Sequence, residues 1–566
     1  MSKSRLTPST VTNRFYPNLE LRMKCRYLIT AVLLLTVVSF FNVVLPVARA
    51  GIWQFSVKTG APHGRAYLWI PPHCKFVRGI IFGQQVILEK PFMQDPNIRA
   101  AAAAENLAEV LICPATVNYL NQPNYKQQVE GLYKVLARLA QKSGYTEIAK
   151  APLLPVGHSG GGILPWMLAY YNRHRIIALV TLHAAPSLPA FWNLNATADD
   201  VPVLADSGQY ESWNSPVHSL QWHVSWVRGL LLYFRGFWSH ALVSEIVEPG
   251  AGHFSLTPTL TRYIGEFIRQ AAAERLPVHV APGKRPVLRH IPLTSGWLGD
   301  VQLLKPAVFA PAPYRQYHGQ PQLAFWFLNK QLAIDGENFE ADRRGKRDQR
   351  VTFVQNGKPL PAQWLEPLKF HPIGDGMTVK VHASFLKAKP IGGSDPGKPL
   401  GHGPEPIQFR LIGGWNGGGR QVGPNEFRIH FSNFGMHTWR SKSLMIMAYV
   451  PGNKTWAYAE QAGSITFPTF LTHGKPQAIT FAKLPNVAAG TKSLTLNAAA
   501  TSGLPVHYYI TSGPAYVHGG KIIFTPIPPR AKFPIAVRIT AWQWGRFTTP
   551  RIASAKPITQ TFYIER

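Results

Sequence analysis

Apolar strand-like segments alternate with helix-like segments between residues 51 and 275. The predicted strands cover residues 65–70, 79–83, 109–113, 153–157, 176–182, 201–205 and 244–247. The predicted helices cover residues 95–107, 129–144, 160–171 and 259–273. Repeated alternation of this kind is typical of a mostly parallel sheet with helices packed on both faces. We therefore predict an α/β domain for residues 51–280.

The rest of the chain has the pattern of a β protein. Residues 281–472 begin with a Pro-, Arg- and His-rich stretch, contain a Gly/Pro-rich loop at 386–404 and are predicted to form a β-rich accessory region. Its predicted strands cover residues 351–354, 377–383, 407–412, 426–431 and 444–450. Short strands separated by turns favour a β-sandwich for this region.

A third unit is predicted over residues 473–566. Its predicted strands cover residues 477–481, 493–498, 504–510, 521–526 and 535–542. The segment SLTLNAAATSGLPVHYYITSGPAYVHGGKIIFTP, which begins at Ser493, resembles the Ig-like, cadherin-like repeats of many bacterial secreted proteins. The resemblance implies an Ig-like β-sandwich that acts as a spacer or contacts a carbohydrate or a cell surface.

Residues 1–50 are predicted to be a secretory signal peptide. Basic residues at 22, 24 and 26 precede the apolar, uncharged run 27–47, which is followed by the small-x-small pattern Ala-Arg-Ala at 48–50. Cleavage there predicts a secreted or periplasmic protein. The apolar run is also long enough to cross a bilayer, so the alternative is a single-pass membrane anchor formed by residues 27–47.

The chain is basic mainly because acidic residues are scarce. Lys and Arg number 59 against 28 Asp and Glu, and charged residues make up only 15%. Residues 1–50 hold seven of the bases and one acid, so their removal lowers the net charge from +31 to +25. Such a surface can attract polyanions, but no nucleic-acid motif is present, and no specific nucleic-acid partner is predicted. The alternative interpretation is the composition of secreted proteins from acid-living bacteria.

Residues 157–161 read Gly-His-Ser-Gly-Gly and match the G-x-S-x-G pattern. The motif lies between the predicted strand 153–157 and the predicted helix 160–171, the strand–turn–helix context that a nucleophile elbow needs. Small residues on both sides of Ser159 suit such a sharp turn. We predict Ser159 as a nucleophile.

A serine hydroxyl needs a base, and the base needs an acid to orient it. His253 follows the last predicted strand and is the predicted base. Glu211, in the sequence Gly-Gln-Tyr-Glu after the strand 201–205, is the predicted acid, and Asp206 is the alternate. Four other histidines have weaker placement as the base: His158, His183, His223 and His240.

The oxyanion of an acyl-transfer intermediate needs two N–H donors. Gly160, directly after Ser159, is predicted to supply one of them. The loop after strand 79–83 is predicted to supply the other from Gln84, with Gln85 as the alternate.

With these motifs in place, residues 51–275 resemble an α/β-hydrolase-fold serine hydrolase, similar to secreted esterases and dienelactone-hydrolase-like proteins. The resemblance implies a Ser-His-acid triad, an acyl-enzyme on Ser159, and neither a metal nor an organic cofactor. Two features depart from these families: the nucleophile is Ser rather than the Cys of dienelactone hydrolases proper, and the acid is Glu or ambiguous. An HGGG-type oxyanion motif is also absent.

Tryptophans suggest where a substrate would bind. A lid over the site, or alternatively apolar core, is predicted for Trp213, Trp222, Trp226 and Trp238. A carbohydrate platform, or more simply sandwich core, is predicted for Trp326, Trp364, Trp415, Trp439 and Trp456. The leading hypothesis is a secreted hydrolase acting on small-molecule or polymer esters. The alternatives are a peptidase or acyltransferase on the same fold, or an inactive hydrolase-like binding or adhesion protein.

Overall fold

The computed structural model describes residues 52–116, 124–188, 196–211, 220–280, 284–390, 395–413, 418–433, 435–436 and 441–566. The signal peptide or anchor predicted for residues 1–50 lies outside these ranges. Within the described ranges, no helix combines the length and the apolar character needed to cross a membrane.

The N-terminal part of the described chain contains eight strands and six helices. The strands are β1 Phe55–Lys58, β2 Arg65–Trp69, β3 Gly79–Gln84, β4 Leu107–Cys113, β5 Leu153–His158, β6 Leu179–Leu182, β7 Val203–Gly208 and β8 Val243–Glu248. The helices are α1 Glu89–Met93, α2 Pro96–Ala104, α3 Tyr125–Ser143, α4 Ile163–Asn172, α5 Leu220–Phe237 and α6 Pro258–Arg275.

These eight strands form one sheet in the order β1-β2-β4-β3-β5-β6-β7-β8. All neighbours from β4 to β8 pair in parallel, whereas β2 is antiparallel to both β1 and β4. Every residue of β3, β4, β5, β7 and β8 is buried, as expected where helices cover both faces of a sheet. The predicted α/β fold is therefore confirmed, and the strand β1 is an addition that the sequence analysis missed.

The central region is rich in short strands. They are β9 Trp297–Gly299, β10 Ala312–Pro313, β11 Phe325–Phe327, β12 Val351–Gln355, β13 Lys358–Pro359, β14 Glu366–Leu368, β15 Pro372–Ile373, β16 Thr378–Lys380, β17 His382–Phe385, β18 Gln408–Gly413, β19 Gly418–Gly423, β20 Glu426–His430, β21 Ser441–Val450 and β22 Ala459–Pro468. The structure also shows a helix that the sequence analysis missed, α7 (Lys330–Ala341), which begins after the N-cap Asn329. Glu340 on this helix accepts a hydrogen bond from the Val247 N–H at 2.8 Å, which ties the helix to β8.

The C-terminal region is also built from β-sheets. Its strands are β23 Ile479–Phe481, β24 Val487–Ala488, β25 Ser493–Thr495, β26 Ala498–Ala500, β27 His507–Ser512, β28 Ala515–His518, β29 Lys521–Phe524, β30 Ile535–Trp542 and β31 Ile558–Glu565. They pair in the orders β24-β31-β30-β27, β25-β29-β28 and β23-β26. The β-rich character is confirmed, while the likeness to Ig-like repeats stays a prediction.

Residues Gly51–Arg566 form one compact unit. One apolar cluster joins the core of the α/β sheet to C-terminal side chains such as Val537 and Phe562. A second cluster joins the central strands to Trp542 and Trp544. The three predicted regions therefore share apolar cores along their boundaries, and the boundaries at 280 and 472 stay predictions.

Candidate active site

Ser159 lies on a sharp turn between β5 and α4. Its φ of 54° is in the left-handed region, which non-glycine residues rarely adopt because the Cβ is crowded there. A Cβ on Gly157 would lie 2.1 Å from the Gly161 carbonyl oxygen, so the turn requires glycine at residue 157. The predicted elbow geometry is therefore present, and it lifts the Ser159 side chain above the end of the sheet.

Three predicted residues form one hydrogen-bonded chain. Nε2 of His253 lies 2.8 Å from Oγ of Ser159, and Nδ1 of His253 lies 2.6 Å from Oε2 of Glu211. His253 follows β8 and Glu211 follows β7, so the carboxyl ends of neighbouring parallel strands bring them to one edge of the sheet. The structure thus places Glu211, the first choice for the acid, against His253.

Asp206, the alternate acid, lies elsewhere. It is fully buried within β7, and its Oδ2 is 3.2 Å from Nε2 of His183. The other ring nitrogen of His183, Nδ1, is 2.6 Å from Oε1 of Glu211. Glu211 therefore contacts two histidines, one through each carboxylate oxygen. The sequence analysis listed His183 only as a weak candidate for the base.

The buried charges around Glu211 shift one another's pKa values. Burial lowers the pKa of His183, but Asp206 and Glu211 outweigh burial and raise it to about 10. Burial raises the pKa of Glu211, but His183 and His253 outweigh burial and hold it well below its usual range. Burial also raises the pKa of the Asp206 carboxyl. Glu211 is thus held ionised where it faces His253.

His158, which precedes Ser159 in the motif, contacts the backbone of His253. Its Nε2 lies 2.9 Å from the carbonyl oxygen of His253 and holds the backbone of that residue. Burial, together with the nearby His253 and His183, lowers the pKa of His158 well below its usual value, so the ring is neutral. Its backbone N–H donates to Oε1 of the buried Glu89 at 2.8 Å, which ties the elbow to α1.

The predicted oxyanion donors have different surroundings. Gly160 is exposed, and a Cβ added there would meet nothing within 4 Å, so the space beside its Cα is open. The Gln84 side-chain oxygen accepts from the Thr116 N–H at 2.7 Å, which fixes the loop after β4. The Gln85 N–H, the alternate donor, already donates to the Ile112 carbonyl oxygen at 2.8 Å.

The central β-rich region reaches His253. The ring of Trp364, between β13 and β14, lies 5.1 Å from the ring of His253 and 5.1 Å from that of Phe254, and 45% of the residue is exposed. Oε1 of Glu460 on β22 accepts from the Gly252 N–H at 3.0 Å. This region therefore supplies both a wall beside His253 and a support for the loop that carries it.

The other tryptophans named in the sequence analysis have different surroundings. Trp238 is buried and stacks on Phe234 at 4.2 Å, and Trp326 is fully buried, so both belong to the core. Trp226 is 41% exposed on α5, a helix that packs on β8 through the Arg228–Glu245 ion pair at 2.6 Å. Trp456 is partly buried and lies 5.8 Å from the Arg347 guanidinium. The side chains of Trp213, Trp222, Trp415 and Trp439 lie outside the described residues.

The strand order and the positions of these residues together define an α/β-hydrolase fold. The antiparallel β2, the elbow after β5, the acid after β7 and the histidine after β8 are its defining features.

Several solved structures are similar to part of the chain. The carboxylesterase of Bacillus cereus has 11% identity and a TM-score of 0.27 over 36% of this chain and 93% of its own. The S-formylglutathione hydrolase of Agrobacterium tumefaciens has 13% identity and a TM-score of 0.28 over 39% of this chain and 93% of its own. The poly(3-hydroxybutyrate) depolymerase of Bordetella parapertussis has 14% identity and a TM-score of 0.27 over 41% of this chain and 96% of its own. Comparison of the sequence with protein-family models and with curated proteins found no match.

Proposed function

We propose that this protein is a serine hydrolase that cleaves carboxylic esters. The observation that carries the proposal is the hydrogen-bonded chain from Ser159 Oγ through His253 to Glu211, built on a serine with a strained, left-handed backbone. A serine in hydrogen-bond contact with a histidine that a carboxylate orients is the arrangement that activates a hydroxyl nucleophile.

In the proposed reaction, Oγ of Ser159 attacks the acyl carbon while Nε2 of His253 takes the hydroxyl proton. The Gly160 N–H, with Gln84 as the proposed second donor, stabilises the oxyanion. Collapse of the tetrahedral intermediate breaks the bond to the alcohol oxygen, which takes the proton from His253. Water, deprotonated by His253, then attacks the acyl-serine, and its hydrolysis releases the acid and restores Ser159.

The surroundings of the triad bear on the substrate. The half-exposed Trp364 ring beside His253 offers an apolar face to one side of the ester. We therefore propose small-molecule or polymer esters with an apolar, aromatic or sugar-like group next to the scissile bond. The apolar run and cleavage pattern at residues 1–50 support export to the periplasm or the medium.

The test uses a fluorophosphonate probe, which labels activated serines covalently, and a p-nitrophenyl ester. We expect Ser159→Ala to abolish labelling and to lower turnover by about a thousandfold or more. Ser295→Ala, at an exposed serine, is the matched control and should retain both activities. Turnover by Ser159→Ala within about tenfold of the wild-type rate would remove Ser159 from the mechanism.

A further inference from the structure

Three side chains that can bind metal ions converge outside the triad. Asp200 lies before β7, His240 lies between α5 and β8, and His290 lies in the segment after α6. Oδ1 of Asp200 is 3.2 Å from Nδ1 of His290 and 4.0 Å from Nδ1 of His240. One ligand atom from each residue lies within 4.8 Å of those of the other two. Residues far apart in the sequence thus present one oxygen and two nitrogens to a common point.

Backbone contacts hold these residues in place. The Asp200 N–H donates to the His240 carbonyl oxygen at 3.1 Å, and the His240 N–H donates to Oδ1 of Asp199 at 2.9 Å. Asp200 has a φ of 66°, which turns the chain sharply there. Next to His290, the Arg289 N–H donates to the Arg275 carbonyl oxygen at 2.8 Å. The cluster is therefore largely preorganised before any ion binds.

The chemistry of the three atoms favours a cation between them. Oδ1 of Asp200 is buried and accepts no hydrogen bond from the described residues, an unfavourable state for a carboxylate oxygen. An unprotonated imidazole offers a nitrogen lone pair, so a cation between the three atoms would be attracted to each of them. Bonds from Zn²⁺ to His nitrogen and carboxylate oxygen are about 2.0–2.2 Å, which puts neighbouring ligand atoms about 3.3 Å apart. The Asp200–His290 separation of 3.2 Å matches this value, whereas the Asp200–His240 separation of 4.0 Å is longer and must shorten when an ion binds.

We propose that Asp200, His240 and His290 bind a divalent transition-metal ion of the Zn²⁺ type. The His240 and His290 side chains are 47% and 56% exposed, so water completes the coordination. The ion joins the segment after α6, which carries His290, to the turns before β7 and β8, which carry Asp200 and His240. The site is structural and independent of the proposed ester hydrolysis.

Isothermal titration of the full chain with Zn²⁺ near neutral pH tests the site, because the imidazoles must be deprotonated to bind. We expect one ion per chain and a rise in Tm that a chelator reverses. His240→Ala, His290→Ala and Asp200→Asn should each weaken binding at least about tenfold. His318→Ala, at an exposed histidine in another segment, is the matched control.

Equal affinity in the three ligand variants and the wild-type chain would overturn the proposal, as would absence of zinc binding to the wild-type chain. Each ligand is near the surface, so the single variants are expected to fold. Circular dichroism of each variant without zinc checks this.

A second, independent observation concerns His183 and rests on the proposed function. Its Nδ1 faces Oε1 of Glu211 at 2.6 Å, and its Nε2 faces the Ser255 carbonyl oxygen at 3.1 Å. The carbonyl oxygen only accepts, and Oε1 of Glu211 already accepts from the Gly208 N–H at 2.8 Å. Both ring nitrogens therefore carry protons when Glu211 is ionised, and His183 is a buried imidazolium.

We infer that His183, as a buried imidazolium, is a positioning residue that fixes the Glu211 carboxylate against Nδ1 of His253. The two rings lie 6.3 Å apart and contact the two oxygens of the same carboxylate. The other groups around His183 are the neutral His158 at 6.0 Å and the carboxyls of Asp206 and Glu248.

The rate of fluorophosphonate labelling reports the reactivity of Ser159. We expect His183→Ala to lower this rate at least about tenfold, and His183→Asn, which retains an N–H donor toward Glu211, to restore most of the loss. An unchanged rate in His183→Ala, or equal losses in the two variants, would overturn the inference. A wild-type chain that is not labelled at Ser159 would instead refute the proposed function, and this inference with it.

Nuclear magnetic resonance of ring-¹⁵N histidine in the wild-type chain covers the case in which His183→Asn does not fold. We expect one histidine to stay doubly protonated at a pH well above ~6.5, the ordinary pKa of the ring. If every histidine is neutral there, His183 carries no charge and the inference is wrong.

Discussion

At the scale of single residues, two carboxylates near Ser159 have different surroundings, because both lie beside His183 but Glu211 also contacts His253. Oε2 of Glu211 is 2.6 Å from His253, whereas Asp206 lies beside His183. We expect Glu211→Gln to lower kcat by about a thousandfold or more, because the amide no longer stabilises the imidazolium. Asp206→Asn should cost about tenfold or less. Single-turnover kinetics of both variants checks the ranking, and the reverse order would assign the triad acid to Asp206.

At the scale of elements, the central β-rich region is part of the site. Trp364 forms a wall beside His253, and Glu460 on β22 supports the loop that carries that histidine. Glu460 is itself held by Arg410 at 2.8 Å and by the Tyr458 hydroxyl at 2.6 Å. The accessory region predicted from the sequence thus contributes to the geometry of the triad.

We expect Trp364→Ala to change specificity more than chemistry. Loss of the apolar wall should raise KM for esters with an aromatic or long acyl group about tenfold, while kcat for an acetyl ester changes little. Steady-state kinetics on a series of p-nitrophenyl esters measures the split. Trp226→Ala, at an exposed tryptophan on α5, serves as the control. Equal changes for every ester in the series would show that Trp364 does not contact the substrate.

At the scale of the whole molecule, the C-terminal sheets are bound to the α/β domain. The Gly513 N–H donates to the Trp53 carbonyl oxygen at 2.8 Å, and the Lys532 N–H donates to that of Ser143 at 2.9 Å. Val537 packs in the same apolar cluster as the α/β sheet. The sequence favours independent folding and dispensability of residues 474–566, but this packing favours the opposite.

We therefore expect a chain that ends at Pro468 to aggregate or to lose kcat, because truncation exposes the apolar surface that the C-terminal sheets cover. Size-exclusion chromatography and turnover of a soluble ester measure both effects. A control chain with a protease site introduced at Gly490, an exposed turn, keeps all segments present. A soluble truncated chain with full kcat would show that the sheets are an independent module.

Buried carboxyls predict how stability depends on pH. Burial raises the pKa of Glu89 to about 7, and those of Glu340 and Glu366 to about 8. A group whose pKa is higher in the folded than in the unfolded state contributes its full stabilisation below the unfolded pKa. That stabilisation is lost as the pH rises through the folded pKa. His183, with its pKa of about 10, acts in the same direction above its unfolded value. Stability should therefore fall as the pH rises from ~6.5 to ~8.

The buried histidines His430 and His507 have the opposite effect on the pH dependence of stability. Their pKa values are lowered to about 4, so their effect is confined to pH values below ~6.5. We expect the free energy of unfolding, measured by urea titration, to fall by at least ~1.4 kcal/mol per pH unit across the window. Glu366→Gln removes one titrating group and should flatten this slope. Stability that rises across the window would refute the expectation.

Local sequence pattern was sufficient for the α/β fold and the elbow. Strand–helix alternation determines the parallel sheet, and the glycines around Ser159 are needed by the turn itself, so both are visible in short windows of sequence. The position of His253 beside Ser159 was also predictable, since His253 follows the last strand of the pattern. Glu211 could be ranked above Asp206 by its spacing after β7, but only its contact with His253 separates the two.

Other features depended on contacts between residues distant in the sequence. His183 and Glu211, Trp364 and His253, and the Asp200, His240 and His290 cluster are brought together only when the sheet and the β-rich regions pack. No periodicity or motif links such positions, because side chains from separate segments meet through tertiary packing and not through local backbone preference. The sequence alone therefore determined the fold class and the position of the elbow serine, while the packing of distant segments decided the second histidine, the aromatic wall and the cluster of Asp200, His240 and His290.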